Sequence, residues 1–149
     1  MSPWEFALRA ATEQDFPAIR ELIHLVQINP MSLDWRRFLI AVDASDQLLG
    51  CGQLKPHGKN VMELASIAVQ PEYQKRGIAT AIIDQLLQKA PRPVYLTCRG
   101  GMGAFYTRWG FRALERYEMP TYYRRLSLLA AAMLALSKDD EGMLVMELM

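Results

Sequence analysis

The sequence predicts a single α/β domain, of the α+β type, in which helices flank a mixed, mostly antiparallel central sheet. Short runs that favour β-strands alternate along the chain with longer runs whose apolar residues recur at helical spacing. The chain has 149 residues, which is the size of one ordinary domain. The sequence contains no internal repeat and no linker that would mark a boundary, so one domain over residues 1–149 is expected.

The composition excludes several classes of protein. Apolar residues make up 51% and charged residues 22%, which is ordinary globular usage. The net charge of +1 provides no global field that would attract nucleic acid or an anionic membrane. The longest nearly apolar run, Leu126 to Leu136, has 11 residues and is too short for a membrane span of about 20. Neither nucleic acid nor a membrane is therefore expected as a partner.

The two cysteines and two histidines indicate neither a disulfide scaffold nor a metal site. Cys51 and Cys98 are too few and too far apart, so a reducing cytoplasm is expected. The N-terminus has no basic segment followed by an apolar core, as a secretion signal would have. His24 and His57 have no paired ligands at metal spacing, and His57 is expected in a turn. No metal is assigned.

The first elements are a strand and then a helix. Phe6 to Leu8 is a short apolar strand candidate. Thr12 to Asp15 follows the capping-box pattern, which predicts the start of a helix. The helix should end near Pro30, and its buried stripe consists of Phe16, Ile19, Leu22, Ile23 and Val26.

Three antiparallel strands in series are predicted next. They are Phe38–Val42, Leu48–Leu54 and Val61–Val69, separated by polar turns at 43–47 and 56–60. From Pro71 the apolar period becomes helical, until prolines at 91 and 93 end the helix. The remaining elements are expected to be a strand at Val94–Thr97, a short helix at Met102–Trp109 closed by Gly110, a strand from Phe111, an extra helix at Pro120–Leu136, a polar turn at Lys138–Gly142 and a last strand at Met143–Leu148.

The junction between the 61–69 strand and the following helix is the most informative stretch. The first turn of a helix has about four unpaired backbone N–H groups and a partial positive charge, so it binds phosphate. Gly77 and Ala79 allow a ligand to approach this backbone, and Lys75 and Arg76 add positive charge. The alternative is that Gly77 only eases a turn beside a solvated helix start. The spacing fits neither the dinucleotide-binding glycine motif nor the P-loop.

The sequence resembles the GNAT superfamily of acetyl-CoA-dependent N-acetyltransferases at this point. The signature of that family is Gln/Arg-x-x-Gly-x-Gly/Ala after an apolar strand, and Gln74, Gly77 and Ala79 match it. Three further segments agree in order and spacing, so that the resemblance extends over roughly residues 6–115 and the final strand. These segments are Leu8–Asp15, Glu63–Val69 and Phe105–Phe111.

The resemblance implies a single-domain GNAT-like fold, acetyl-CoA as co-substrate, and direct transfer of the acetyl group to a primary amine in a ternary complex. The acceptor would be a small molecule or a protein, and a homodimer is common in the family. The resemblance also implies cofactor contacts from the strand backbone at Ile67, Ala68 and Val69 and from the phosphate-binding residues Gln74, Lys75, Arg76, Gly77, Ile78, Ala79 and Thr80.

Two catalytic residues follow from the resemblance. An alkyl ammonium must lose a proton before it attacks a thioester, and Glu63 occupies the position of the family's catalytic glutamate. Its other interpretation is an exposed charge at a strand edge. Tyr106 matches the tyrosine that protonates the departing thiolate; its alternative role is core packing beside Phe105 and Trp109. Arg99 stands where many members have a cofactor-binding Asn, so that contact is either replaced by Arg99 or lost.

Several alternatives remain open at the level of sequence. Cys98 is either a nucleophile or, as we expect, a small buried residue at a strand end. The extra segment at 120–136 is a lid over the acceptor site, a dimerisation surface, a membrane-surface helix or a helix that only covers the sheet. The alternative to an enzyme is a non-catalytic module that binds acetyl-CoA or a protein partner.

Overall fold

A computed structural model describes residues 5–136 and 142–149. Its seven strands form one sheet in the order β1-β2-β3-β4-β5-β7-β6. The strands are β1 (Ala7–Ala10), β2 (Phe38–Val42), β3 (Leu48–His57), β4 (Val61–Val69), β5 (Val94–Arg99), β6 (Arg112–Ala113) and β7 (Met143–Leu148). The helices are α1 (Phe16–Leu25), α2 (Ile78–Lys89), α3 (Gly103–Thr107) and α4 (Thr121–Leu136).

The observed elements confirm the predicted order and the mixed, mostly antiparallel sheet. β1 pairs with β2 and β2 with β3 in antiparallel register, whereas β4 and β5 are parallel. The extra helix α4 precedes the last strand, as predicted. The polar turn predicted at 138–142 lies outside the described residues except for Gly142.

The chain forms two compact units. One comprises the residues up to Lys55 together with Leu64–Ala90, and the other comprises Pro56–Glu63 together with Pro91–Met149. Within the first unit, α1 covers one face of β2 and β3. The shared core consists of Ile19, Leu22 and Ile23 from α1 and of Phe38, Ile40, Val42, Leu48, Cys51 and Ala68 from the strands.

The start of the first helix follows from local hydrogen bonds. Thr12 N–H donates to Asp15 Oδ2 at 2.7 Å, which confirms the capping box, although the first turn at 13–15 is a 3₁₀ turn. Arg9 from β1 donates two hydrogen bonds to the same carboxylate, at 2.8 and 3.0 Å. These bonds fix the end of β1 against the start of α1.

The helix α2 packs closely on β3 because two glycines leave room for it. A Cβ atom at Gly52 would lie 2.8 Å from Ile82 and 2.6 Å from Ile67, and one at Gly50 would lie 2.9 Å from Ile78. Any larger side chain would therefore push the helix away from the strand.

The second unit is organised around β5, β7 and α4. β7 pairs in antiparallel register with β5 along six residue pairs and with β6 along two. The side chain of Tyr123 on α4 is fully buried. It packs in a second apolar cluster with Tyr95, Leu114, Met119 and Val145. The position of α4 over the sheet is therefore fixed by its first turns.

Several element boundaries differ from the sequence prediction. β1 is Ala7–Ala10 rather than Phe6–Leu8, α1 ends at Leu25 rather than near Pro30, β5 extends to Arg99, and α3 is shorter than expected, at Gly103–Thr107. β3 continues past the predicted end at Leu54 to His57, so the turn contains only residues 58–60. The helix expected from Pro71 begins at Ile78, after a short 3₁₀ turn and a loop. In the described part of the chain, no helix combines the length and apolarity needed to cross a membrane.

Candidate active site

The loop before α2 has the backbone geometry of an anion cradle. Lys75 and Gly77 both have positive φ angles, 64° and 84°, so the chain turns sharply just before the helix begins. Glycine adopts this conformation without strain, and the ideal Cβ position at Gly77 faces open space. The first intrahelical bond runs from Ala81 N–H to Gly77 O at 3.0 Å. The amide groups before Ala81 are therefore the ones that a helix N-terminus leaves for a ligand.

Side chains stabilise this loop and give it charge. Gln74 Nε2 donates to the carbonyl of Val69 at 3.2 Å and so ties the loop to the end of β4. Lys75 and Arg76 are exposed, and the Arg76 guanidinium lies over the Tyr73 ring, 5.4 Å from its centroid. Amide donors, a helix N-terminus and two cations fit the pyrophosphate of a CoA-type ligand.

The strand β4, which precedes this loop, is irregular in its second half. Its pairing with β5 extends only over Met62↔Val94 and Glu63↔Tyr95. Ser66 has a φ of 59°, which interrupts the regular strand conformation. The predicted pantetheine-binding residues Ile67, Ala68 and Val69 continue β4 beyond that irregularity.

Glu63 is buried, which excludes the interpretation of an exposed strand-edge charge. Its side chain is 11% exposed, and its Oε1 atom lies 2.5 Å from Nε2 of His57, whose side chain is 15% exposed. The Tyr122 ring of α4 stacks on the His57 ring, with centroids 4.0 Å apart. Glu63 thus belongs to a largely buried cluster with His57, on which the Tyr122 ring is stacked.

The expectation that His57 lies in a turn is wrong. The residue ends β3, where its ring is covered by Tyr122 and pairs with Glu63. The sequence carried a signal for this, because Gln53, Lys55 and His57 alternate along the strand and so point to one face. Among the described residues there is still no cluster of side chains that would hold a metal.

Tyr106 lies on α3 within an aromatic cluster. Its ring is 9% exposed and makes edge contacts with Phe105, at 5.1 Å, and with Phe111, at 6.2 Å. Burial, with a smaller contribution from Cys98, raises the pKa of Tyr106 to about 12. The hydroxyl therefore keeps its proton at neutral pH and remains a hydrogen-bond donor.

Arg99 and Cys98, two further residues considered in the sequence analysis, lie at the end of β5. Arg99 is the exposed last residue of β5, where it pairs with Met143. Cys98 is half-buried with its Sγ atom 4.0 Å from the sulfur of Met146, and burial raises its pKa. A thiol with a raised pKa is a poor nucleophile, in agreement with the structural role expected for Cys98.

The β3 strand also carries two buried polar residues that the sequence analysis did not single out. Lys55 is only 5% exposed, and its Nζ atom donates to the carbonyl of Met31 at 3.1 Å. Gln53 is fully buried; its Nε2 atom donates to Ser66 Oγ at 2.8 Å, while its Oε1 atom has no partner among the described residues. The available signal was the alternation of the polar residues Gln53, Lys55 and His57 with Leu54 and Pro56.

Comparison with known proteins identifies the family. The model of the acetyltransferase (GNAT) family matches residues 4–111. An amino-acid acetyltransferase from Mycobacterium tuberculosis is 31% identical over 72% of this chain and 69% of its own length. The match to the family model ends before α4 begins.

Solved structures show the same fold at lower identity. N-acetylglutamate synthase from Neisseria gonorrhoeae, complexed with coenzyme A and L-arginine, superimposes with a TM-score of 0.72 at 21% identity over 94% of this chain. This chain spans only 32% of that protein. A crystal structure of a Mycobacterium tuberculosis protein in complex with CoA and NLQ gives a TM-score of 0.72 at 24% identity, covering 96% of this chain and 99% of its own. The chain belongs to the GNAT acetyltransferase family and has the N-acetyltransferase fold and enzyme type that its sequence motifs predict.

Proposed function

We propose that this protein transfers the acetyl group of acetyl-CoA to the amino group of a free amino acid. The name of the relative from Mycobacterium tuberculosis supports an amino acid as acceptor. The solved neighbours that contain coenzyme A support acetyl-CoA as the donor. The observation that carries the acceptor class is the pair of buried polar groups on β3.

The buried ammonium of Lys55 and the buried amide oxygen of Gln53 each have unused hydrogen-bonding capacity, the first as a donor and the second as an acceptor. A buried ammonium is normally paired with a carboxylate, but the ion pairs found among the described residues do not include Lys55. The buried Oε1 of Gln53 lacks a donor. The two residues are separated by one position on β3 and so face the same side. An amino acid offers both missing partners, a carboxylate for Lys55 and an N–H donor for Gln53.

The phosphate end of acetyl-CoA would bind in the loop before α2. The amides of the residues from Gln74 to Thr80 would donate to the pyrophosphate, with Lys75 and Arg76 adding charge. The backbone of Ile67–Val69 would pair with the pantetheine arm. Bound in this way, acetyl-CoA supplies an activated thioester carbonyl to the site.

Glu63 and Tyr106 would move the protons. Glu63 accepts a proton from the acceptor ammonium, which frees the nitrogen lone pair for attack on the carbonyl carbon. A C–N bond forms and the C–S bond breaks, while the nitrogen gives its second proton to solvent water, which also reprotonates the Tyr106 phenolate at the end of the reaction. Tyr106 donates a hydrogen bond, and finally its proton, to the departing CoA sulfur, because its raised pKa keeps the hydroxyl protonated.

The test compares each amino acid with the amine that lacks its α-carboxylate. We expect the wild type to acetylate amino acids and to discriminate strongly against the decarboxylated amines. Lys55→Met should raise the KM for the amino acid by about tenfold or more, with an unchanged KM for acetyl-CoA. Lys59→Met, in the exposed turn after β3, is the matched control.

Two outcomes would contradict the proposal. If the decarboxylated amines were equally good acceptors, no carboxylate would be recognised. If Lys55→Met and Lys59→Met had the same KM, the buried ammonium would have no part in binding the acceptor.

A further inference from the structure

The helix α4 places an aromatic side chain directly on the histidine that contacts Glu63. The rings of Tyr122 and His57 are stacked, with an interplanar angle of 21° and centroids 4.0 Å apart. The Tyr123 ring meets His57 edge-on, at 6.3 Å and 77°. These two contacts restrict rotation of the imidazole about its own axis. The ring plane of His57 is therefore set by α4.

The orientation of this ring decides which atom faces Glu63. Nε2 lies 2.5 Å from Glu63 Oε1, and both side chains are largely buried. A carboxylate that acts as a base must be ionised and can then only accept a hydrogen bond, so this role of Glu63 requires Nε2 of His57 to be the donor. The bond occupies one carboxylate oxygen and leaves Oε2 for a proton from the acceptor.

We propose that Tyr122 is a positioning residue for acetyl transfer: it holds His57 so that Nε2–H fixes the Glu63 carboxylate in the orientation that accepts the amine proton. This inference rests on the proposed function, because it assumes that Glu63 is the base. A carboxylate rotated away from the amine would be much less effective, since misplacement by about 1 Å can cost about 100-fold in rate.

Tyr122 lies outside the part of the chain that the family model matches. The family model ends at residue 111, whereas α4 begins at Thr121. Leu128, Leu129 and Met133 of this helix are exposed, but its first turn is anchored in the second apolar cluster by Tyr123. Glu63 thus lies in the part of the chain that matches the family model, whereas Tyr122, the residue that would orient it through His57, lies outside that part.

The kinetic test separates positioning from general stability. Tyr122→Leu removes the stacked ring and should lower kcat about 10- to 100-fold, with little change in the KM for acetyl-CoA. Tyr122→Phe keeps the ring and should restore most of the lost rate. Tyr117→Leu is the matched control, because Tyr117 is 81% exposed and should tolerate the change.

A double-mutant cycle tests whether Tyr122 acts through His57. His57→Phe keeps an aromatic ring against Tyr122 but removes the Nε2–H donor, so it should lower kcat by a similar factor. Tyr122→Leu should then cause little further loss in the His57→Phe background. Fully additive losses, or a normal kcat for His57→Phe, would overturn the inference.

A second measurement needs no acceptor and so distinguishes this inference from the proposed function. Histidine-selective ¹⁵N NMR reports which ring nitrogen carries the proton, and His24→Gln assigns the signals because the chain has two histidines. We expect a single Nε2–H tautomer in the wild type and in Tyr122→Phe, and a mixture in Tyr122→Leu and Glu63→Gln. An identical tautomer in all four proteins would overturn the positioning role. If amino acids fail as acceptors but another amine is acetylated, the acceptor assignment fails and the kinetic cycle with that amine still decides the role of Tyr122.

Discussion

The Nε2 atom of His57 lies 2.5 Å from Oε1 of Glu63, across the turn that joins two neighbouring strands. The turn comprises only residues 58–60, and Gly58 allows it with a φ of 71°. Because the hairpin is short, the last residue of β3 reaches the third residue of β4. A polar contact in the site is thus produced by local chain geometry.

Replacing the Tyr106 hydroxyl should abolish acetyl transfer without weakening the binding of acetyl-CoA. Tyr106→Phe keeps the ring in its aromatic cluster but removes the proton donor, so kcat should fall at least about 100-fold. Between pH 8 and about 10 the wild-type kcat should not fall through ionisation of the Tyr106 hydroxyl, because the pKa of this hydroxyl is raised to about 12. Steady-state kinetics over that range, with Tyr117→Phe as control, checks both expectations. An unchanged rate for Tyr106→Phe would remove this residue from the mechanism.

Reversing a charge in the loop before α2 should prevent stabilisation by acetyl-CoA. A ligand at about 100 times its Kd stabilises the native state by about 2.7 kcal/mol, which raises the Tm of a domain of this size by several degrees. Arg76→Glu should lose that shift while its Tm without ligand stays near the wild-type value, because Arg76 is exposed. Arg36→Glu is the control, since Arg36 is also exposed and also lies over an aromatic ring. Equal shifts in both variants would place the phosphates elsewhere.

The Asp15 carboxylate should stabilise the fold at neutral pH but not in strong acid. Hydrogen bonds from Arg9 lower the pKa of Asp15 from 3.8 to about 2. A depressed carboxyl pKa stabilises the native state above pH 3.8, and this contribution disappears as the pH falls through 2. Asp15→Asn should therefore cost about 1–2 kcal/mol at pH 7, and the difference should shrink below pH 3.

Urea denaturation at several pH values measures this effect. Asp46→Asn removes the other carboxylate that Arg9 contacts, but Asp46 is 69% exposed, so we expect a loss of less than about 0.5 kcal/mol. Equal losses in the two variants, or a pH-independent loss in Asp15→Asn, would contradict the prediction.

Removing the Tyr123 hydroxyl should stabilise the protein. Tyr123 is fully buried, and its Oη atom has no hydrogen-bond partner among the described residues. Burial, followed by the nearby Glu63 carboxylate, raises the pKa of this tyrosine, so the hydroxyl stays neutral. A buried hydroxyl without a partner costs about 1–3 kcal/mol, so Tyr123→Phe should gain about 1 kcal/mol in urea denaturation. A loss of stability would show that the hydroxyl is satisfied in solution, for example by a bound water.

Local sequence patterns predicted the order of the elements and the loop before α2. The capping box at Thr12 and Asp15 marked the first turn before α1, and the β-type run Val61–Val69 predicted β4. Gly77 was singled out because a residue without a side chain lets a ligand approach the backbone, and in the structure it has the left-handed conformation that glycine adopts without strain. These features depend on residues close in sequence, and their physical causes are backbone sterics and hydrogen bonds that act over one or two turns.

Only the tertiary structure decided which side chains lose contact with water. The sequence left open whether Glu63 is exposed, and it assigned no role to His57 or Lys55. Their burial depends on residues far along the chain: Tyr122 covers His57, and the carbonyl of Met31 accepts from Lys55. Burial and the supply of hydrogen-bond partners are properties of the packed chain, so a motif can propose a candidate residue, whereas its surroundings follow only from the packing of residues distant in sequence.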